Sequence, residues 1–114
     1  MRRRLMLTAT AMLLGSGIGS GVALAATTHT VVQKGKDFWS TDMTFEMTVQ
    51  AGDAIAFVNS DLFDHNVYSE TPGNSFNIGL QEPGSTTRVA LKNPGLVDVR
   101  CRIHPKMRLA VTVE

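Results

Sequence analysis

Cys101, His104 and Met107 recur every three residues in the stretch Cys101-Arg102-Ile103-His104-Pro105-Lys106-Met107, offering a thiol, an imidazole and a thioether. On a helix that spacing would leave three soft or borderline donors along one side. Pro105 rules the helix out, because it has no N–H to give and biases His104 toward an extended conformation. A tight turn remains, and a turn can aim three side chains at one centre. Thiolate, imidazole and thioether suit copper cycling between Cu(I) and Cu(II) better than they suit zinc, calcium or magnesium. A fourth donor is needed, and His65 is the expected supplier, since the remaining histidine, His29, lies near the start of the chain.

The context of the cysteine sharpens this reading. Arg2, Arg3 and Arg4 form a positive n-region, Leu5 to Leu14 an apolar core, and Ala23-Leu24-Ala25 an A-x-A cleavage site. Together they predict a signal peptide over residues 1–25 and a mature domain over 26–114, periplasmic or secreted and without a membrane span. Cleavage near Ala25 leaves 89 of the 114 residues, enough for one small domain. With the three arginines gone, eight cations face ten carboxylates, a net charge of −2 that argues against nucleic-acid binding. An exported domain ordinarily pairs its cysteines, yet Cys101 stands alone. Metal ligation, an intermolecular disulfide or burial as a small hydrophobe would each account for it.

The elements that must position these donors read as short strands separated by turns. Thr30 to Gln33 is a strand closed by Lys34-Gly35-Lys36-Asp37, and Met43, Phe45, Met47 and Val49 alternate with polar residues in a half-buried strand. Ala54 to Asn59 is nearly all apolar and therefore central; an acidic stretch, Ser60 to Asp64, leads into a strand beginning at His65. Thr86 to Leu91 is another. In the next, Val97, Val99 and Cys101 share one face and Asp98, Arg100 and Arg102 the other, so the sulfur extends the buried side. Leu109, Val111 and Val113 close the chain. Seven to eight such strands predict an all-β, antiparallel Greek-key β-sandwich, with the Cys101 to Met107 loop joining the last two strands at one end. Trp39, Phe45, Phe57 and Phe76 are expected in its core, and His29 is expected to be idle.

At His65-Asn66-Val67 followed by Cys101-x-x-His104-Pro105-x-Met107, the chain resembles the cupredoxins, the small blue copper proteins, with a ligand loop most like the short amicyanin kind. The Gly52-Asp53 turn, Phe57-x-Asn59 and Pro94-Gly95 fall where that family has them. The resemblance implies one copper ion bound by His65, Cys101 and His104, with Met107 as a long axial ligand. It implies that Asn66 ties the two ligand-bearing segments together by hydrogen bonds. Ile103 departs from the family's proline there, and Arg102, Lys106 and Arg108 make the loop unusually basic.

The function expected is single-electron transfer between redox protein partners, a donor dehydrogenase or a c-type cytochrome among them, by a monomer that is not itself an enzyme. Copper storage or delivery is the competing class, and a metal-free adhesion-type sandwich a third. Arg100, Arg102, Lys106 and Arg108 would make a positive rim for an acidic partner, opposed by Asp61, Asp64 and Glu70; or they are simply solvated. Phe63 would add an apolar docking contact.

Overall fold

The computed structural model describes residues 25–114, so the predicted signal peptide lies outside the described residues but for Ala25. Nine strands follow one another: β1 Thr28–Gln33, β2 Phe38–Trp39, β3 Glu46–Val49, β4 Ala54–Asn59, β5 His65–Ser69, β6 Phe76–Gln81, β7 Thr86–Ala90, β8 Gly95–Arg100 and β9 Arg108–Val113. They form two facing sheets in the orders β2-β1-β4-β7 and β3-β9-β8-β5-β6. This is the expected sandwich with two differences. The sheets are mixed rather than antiparallel, since β1 runs parallel to β4 and β3 parallel to β9. The two strands beyond the expected set, β2 and β6, are a two-residue edge and a weakly alternating strand.

Side-chain parity builds the core. Val31, Phe57, Val97, Val99, Leu109 and Val111 all point between the sheets and are buried, as strict alternation requires. β4 is nearly continuous in apolar residues because it lies between β1 and β7. Phe57 meets Phe38 edge-on at 6.0 Å between ring centroids. The aromatic expectation holds for Phe57 but not for Phe45, which is exposed and stacks on half-buried Trp39 at 4.7 Å. Met43 is the reason. Its φ of 59° breaks the strand that the Met43-to-Val49 alternation predicts, so pairing starts only at Glu46.

His29 is not idle. Its Nε2 lies 2.9 Å from Asp53 Oδ2, and Asp53 also accepts the N–H groups of Thr27 and Gln50. These bonds fasten the start of β1 to the start of β4 at the end of the sandwich remote from the Lys34 turn.

Candidate metal centre

β8 and β9 pair antiparallel from Gly95↔Val113 to Arg100↔Arg108, so the loop between them is held at both feet. Cys101 follows β8 in phase with Val97 and Val99 and is buried. Within the loop the Met107 N–H donates to the His104 carbonyl at 2.9 Å, which closes a turn around Pro105. His65 arrives from the first position of β5, a rigid strand paired to β6 on one side and β8 on the other.

These separate elements bring three donors together. His65 Nδ1 and His104 Nδ1 are 3.1 Å apart, and each lies 3.9 Å from Cys101 Sγ. A point equidistant from the three lies roughly 2 Å from each, a metal–donor bond length for a first-row ion. His65 and Cys101 are buried and His104 is half-buried. Two facing ring nitrogens beside a sulfur are a poor arrangement without a cation, because their lone pairs converge. With one, they form a borderline-soft donor set of the kind copper favours. Met107 is fully buried at the far foot of the loop.

The tautomers follow from the surroundings. His65 Nε2 lies 2.7 Å from Asp61 Oδ2, so this nitrogen donates its proton and Nδ1 keeps a lone pair. Burial alone would raise the Asp61 carboxyl, but hydrogen bonds from His65, Gly35 and Lys36 outweigh it and hold the group below its ordinary value. Burial pushes the His104 imidazolium toward deprotonation, helped by neighbouring His65 and Lys36, which keeps a ring lone pair available at neutral pH.

Asn66 joins the two ligand segments. Its backbone N–H points at Cys101 Sγ at 3.3 Å, and its side-chain oxygen accepts the Arg102 N–H at 3.3 Å. A β-bulge aims that side chain. Between the pairs Asn66↔Leu80 and Tyr68↔Asn77, β6 carries one extra residue, and Gly79 there adopts a φ of 78°. The Asn66 amide nitrogen donates to Gly79 O and Asn77 Oδ1, each at 2.8 Å. Phe63 packs edge-on against both His65 and His104, at 5.4 and 5.3 Å between ring centroids.

Sequence reasoning missed Asp61, treating it as a surface charge opposing the basic rim. Its position four residues before His65 is the signal that was there to use. The rim itself is largely neutralised: Arg100 and Arg108 share Asp98, Arg102 meets Glu70, and Lys106 meets Asp37.

A sandwich whose interior ends in a His–Cys–His group defines a class of small copper proteins, and comparison with known proteins agrees. The family model for copper binding proteins of the plastocyanin/azurin family matches residues 29–114. The chain belongs to that family, whose metal is copper, and His65, Cys101 and His104 are grouped as its possible ligands here. Among solved structures it is similar to an amicyanin variant in its Cu(I) form, with 22% identity over 83% of this chain and 88% of that one and a TM-score of 0.66. It is also similar to a purple cupredoxin from Nitrosopumilus maritimus, with 17% identity over 75% and 99% of the two chains and a TM-score of 0.62. A Cu-containing nitrite reductase from Thermus scotoductus aligns at 24% identity and a TM-score of 0.68 over 87% of this chain but 25% of its own. No curated protein matches the sequence.

Proposed function

We propose that this chain is an exported carrier of single electrons between redox protein partners, with copper held by His65, Cys101 and His104 and, more weakly, by Met107. The observation that carries the reading is the convergence of His65 Nδ1, His104 Nδ1 and Cys101 Sγ at 3.1 and 3.9 Å from elements far apart in sequence. Bound copper supplies a one-electron couple. The protein holds the donors on β5 and on a short loop fixed at both feet by β8 and β9, so that they barely rearrange between the two oxidation states, a preorganisation that keeps transfer fast. Asn66 maintains the spacing of the two ligand segments. Burial of His65 and Cys101 keeps water from the centre, and the part of His104 turned from the donors is the route of entry and exit.

Docking falls on the apolar collar at that end. Leu62 is 93%, Ile103 46% and Phe63 39% exposed, and all three adjoin the ligand segments. With the rim cations paired, this collar rather than a charged face selects the partner. Carrier is favoured over enzyme because four protein donors leave no open position beside a general acid or base. Export rests on Arg2 to Arg4, the Leu5 to Leu14 core and the Ala23-Leu24-Ala25 site, with maturation near Ala25 to a monomeric domain of residues 26–114.

Titration with Cu(II) tests the reading. An intense absorption near the red end of the visible range, reversibly bleached by one electron per protein, is the result expected. Colourless Cu(I) binding with rapid loss to a chelator would instead make the chain a copper store or delivery protein.

A further inference from the structure

The turn between β1 and β2 places a lysine, Lys36, in a left-handed conformation that costs it conformational energy. Lys34 and Asp37 exchange backbone hydrogen bonds at 3.0 and 3.2 Å, leaving Gly35 and Lys36 as the two central residues, with φ of 64° and 61°. This is the left-handed geometry that tight hairpins favour, and it suits asparagine or glycine. Lysine is a poor choice there, because its Cβ is crowded in that region. What over-determines the conformation is Asp61. Both central N–H groups point at its carboxylate, Gly35 at 2.7 Å and Lys36 at 3.2 Å. The same carboxylate receives the His65 Nε2 proton.

The turn also reaches the other ligand segment. Asp37 pairs with Lys106 of the Cys101 to Met107 loop at 3.0 Å, and the Lys36 ammonium lies 5.5 Å over the ring of Phe63, which packs against both imidazoles. Lys34 Nζ donates to the Ser60 carbonyl at 3.2 Å, and the Ser60 N–H donates back to Gln33 O. Four short residues that supply no metal donor thus touch both halves of the centre.

We propose that the Lys34–Asp37 turn positions the metal centre from outside it, with Asp61 as the positioning residue that transmits its hold to the His65 ring. This rests on the copper reading of the site. The chemistry is a matter of counting acceptors. Asp61 uses Oδ1 for Gly35 and Oδ2 for Lys36 and His65. An asparagine has one oxygen and one NH2. If its oxygen faces Gly35, the NH2 faces His65 and forces the ring proton onto Nδ1, the atom that must bind metal. If its oxygen faces His65, the NH2 opposes the Gly35 N–H and the turn is pushed away.

Nitrogen NMR of the His65 ring in the metal-free full chain, beside competition titration with copper alone, decides the matter. Asp61→Asn is expected to move the ring from the Nε2–H to the Nδ1–H tautomer, or to a mixture, and to weaken copper binding about 10- to 100-fold. Gly35→Val keeps Asp61 intact. A Cβ at residue 35 meets no atom within 4 Å, so the substitution acts through strain in the left-handed backbone, which a β-branched residue resists most. It should shift the same His65 signals in the same direction by less. An unchanged His65 tautomer with copper affinity within about twofold in Asp61→Asn would overturn the proposal and leave the copper reading standing. Should Asp61→Asn fail to fold, unperturbed His65 signals in Gly35→Val would overturn it instead. Absence of the visible band in the unaltered protein would remove the copper reading, while the tautomer measurement on metal-free protein still decides what Asp61 does.

Discussion

Two histidine–carboxylate pairs lie near the two ends of β1, and they use the same chemistry for different purposes. At one end His29 meets Asp53 at 2.9 Å; at the other the turn after β1 cradles Asp61, which meets His65 at 2.7 Å. Each carboxylate also accepts two backbone N–H groups. The His29 side chain is 27% exposed and that of His65 fully buried. The larger difference lies in the second ring nitrogen. That of His65 faces another imidazole and a thiol, whereas no such donors adjoin that of His29 among the described residues. A carboxylate-held histidine is therefore a general fastening, and it becomes a metal ligand only where the fold delivers further donors to its free face.

The strongest way to break the comparison is to remove the donor that one end has and the other lacks. Cys101→Ala should abolish the visible absorption and cost at least about 100-fold in copper affinity, with the His29 end unaffected. Absorption and competition titration measure both. Removing Phe57, the core ring between the two ends, should destabilise by about 3–5 kcal/mol in a denaturant titration of metal-free protein, without regard to metal chemistry. Asn66→Ala deletes three side-chain bonds at the metal end. It should cost about 1–3 kcal/mol by the same titration and broaden the visible band by loosening the spacing of Cys101 and His65.

The other end is sharpened by pH. Hydrogen bonding from His29, and then from the Thr27 and Gln50 N–H groups, holds the Asp53 carboxyl at about 2, against an ordinary 3.8. The unfolded chain therefore binds the proton more readily than the folded one in this window, so stability rises with pH across it. The Asp53 contribution is complete above about pH 4 and disappears as the pH falls through 2. In Asp53→Asn, the acid-unfolding profile should lose that part of its slope while copper affinity at neutral pH stays within about twofold. The smallest effect expected is electrostatic. Because Arg100, Arg102, Lys106 and Arg108 are all paired, Arg102→Gln should change the rate of reaction with a redox partner by no more than about twofold between low and high salt, read by stopped flow.

Much of the architecture was legible because parity is local. Val97 and Val99 on one face of β8, continued in phase by Cys101, and Leu109, Val111 and Val113 on one face of β9, are pinned to the core by a two-residue period that any burial of one face enforces. Where a local backbone choice overrides that period, the pattern misleads. Met43 in the left-handed region turned an apparent strand into a turn with exposed Met43 and Phe45. The bulge at Gly79 interrupts the alternation of β6, leaving only two half-buried apolar residues, Phe76 and Ile78, to announce a strand. Parallel pairing of β1 with β4 and of β3 with β9 leaves no mark on either strand alone, since it depends on which distant segments meet.

From residue types and spacing alone came the candidate donors, the turn that carries Cys101, His104 and Met107, and the sandwich needed to bring His65 to them. Those follow from short-range chemistry: which atoms bind a soft cation, where proline forbids a helix, how alternation places a side chain. What only the folded chain decided is how each donor is held. The hold of Gly35 and Lys36 on Asp61, the pairing of Asp37 with Lys106 and that of Arg102 with Glu70 each join residues tens of positions apart, and the His65 tautomer depends on an Asp61 held in that way. Hydrogen bonds and ion pairs of that kind are set by distance in space. Distance in space between remote residues is a property of the packed sheets and of no single stretch of sequence.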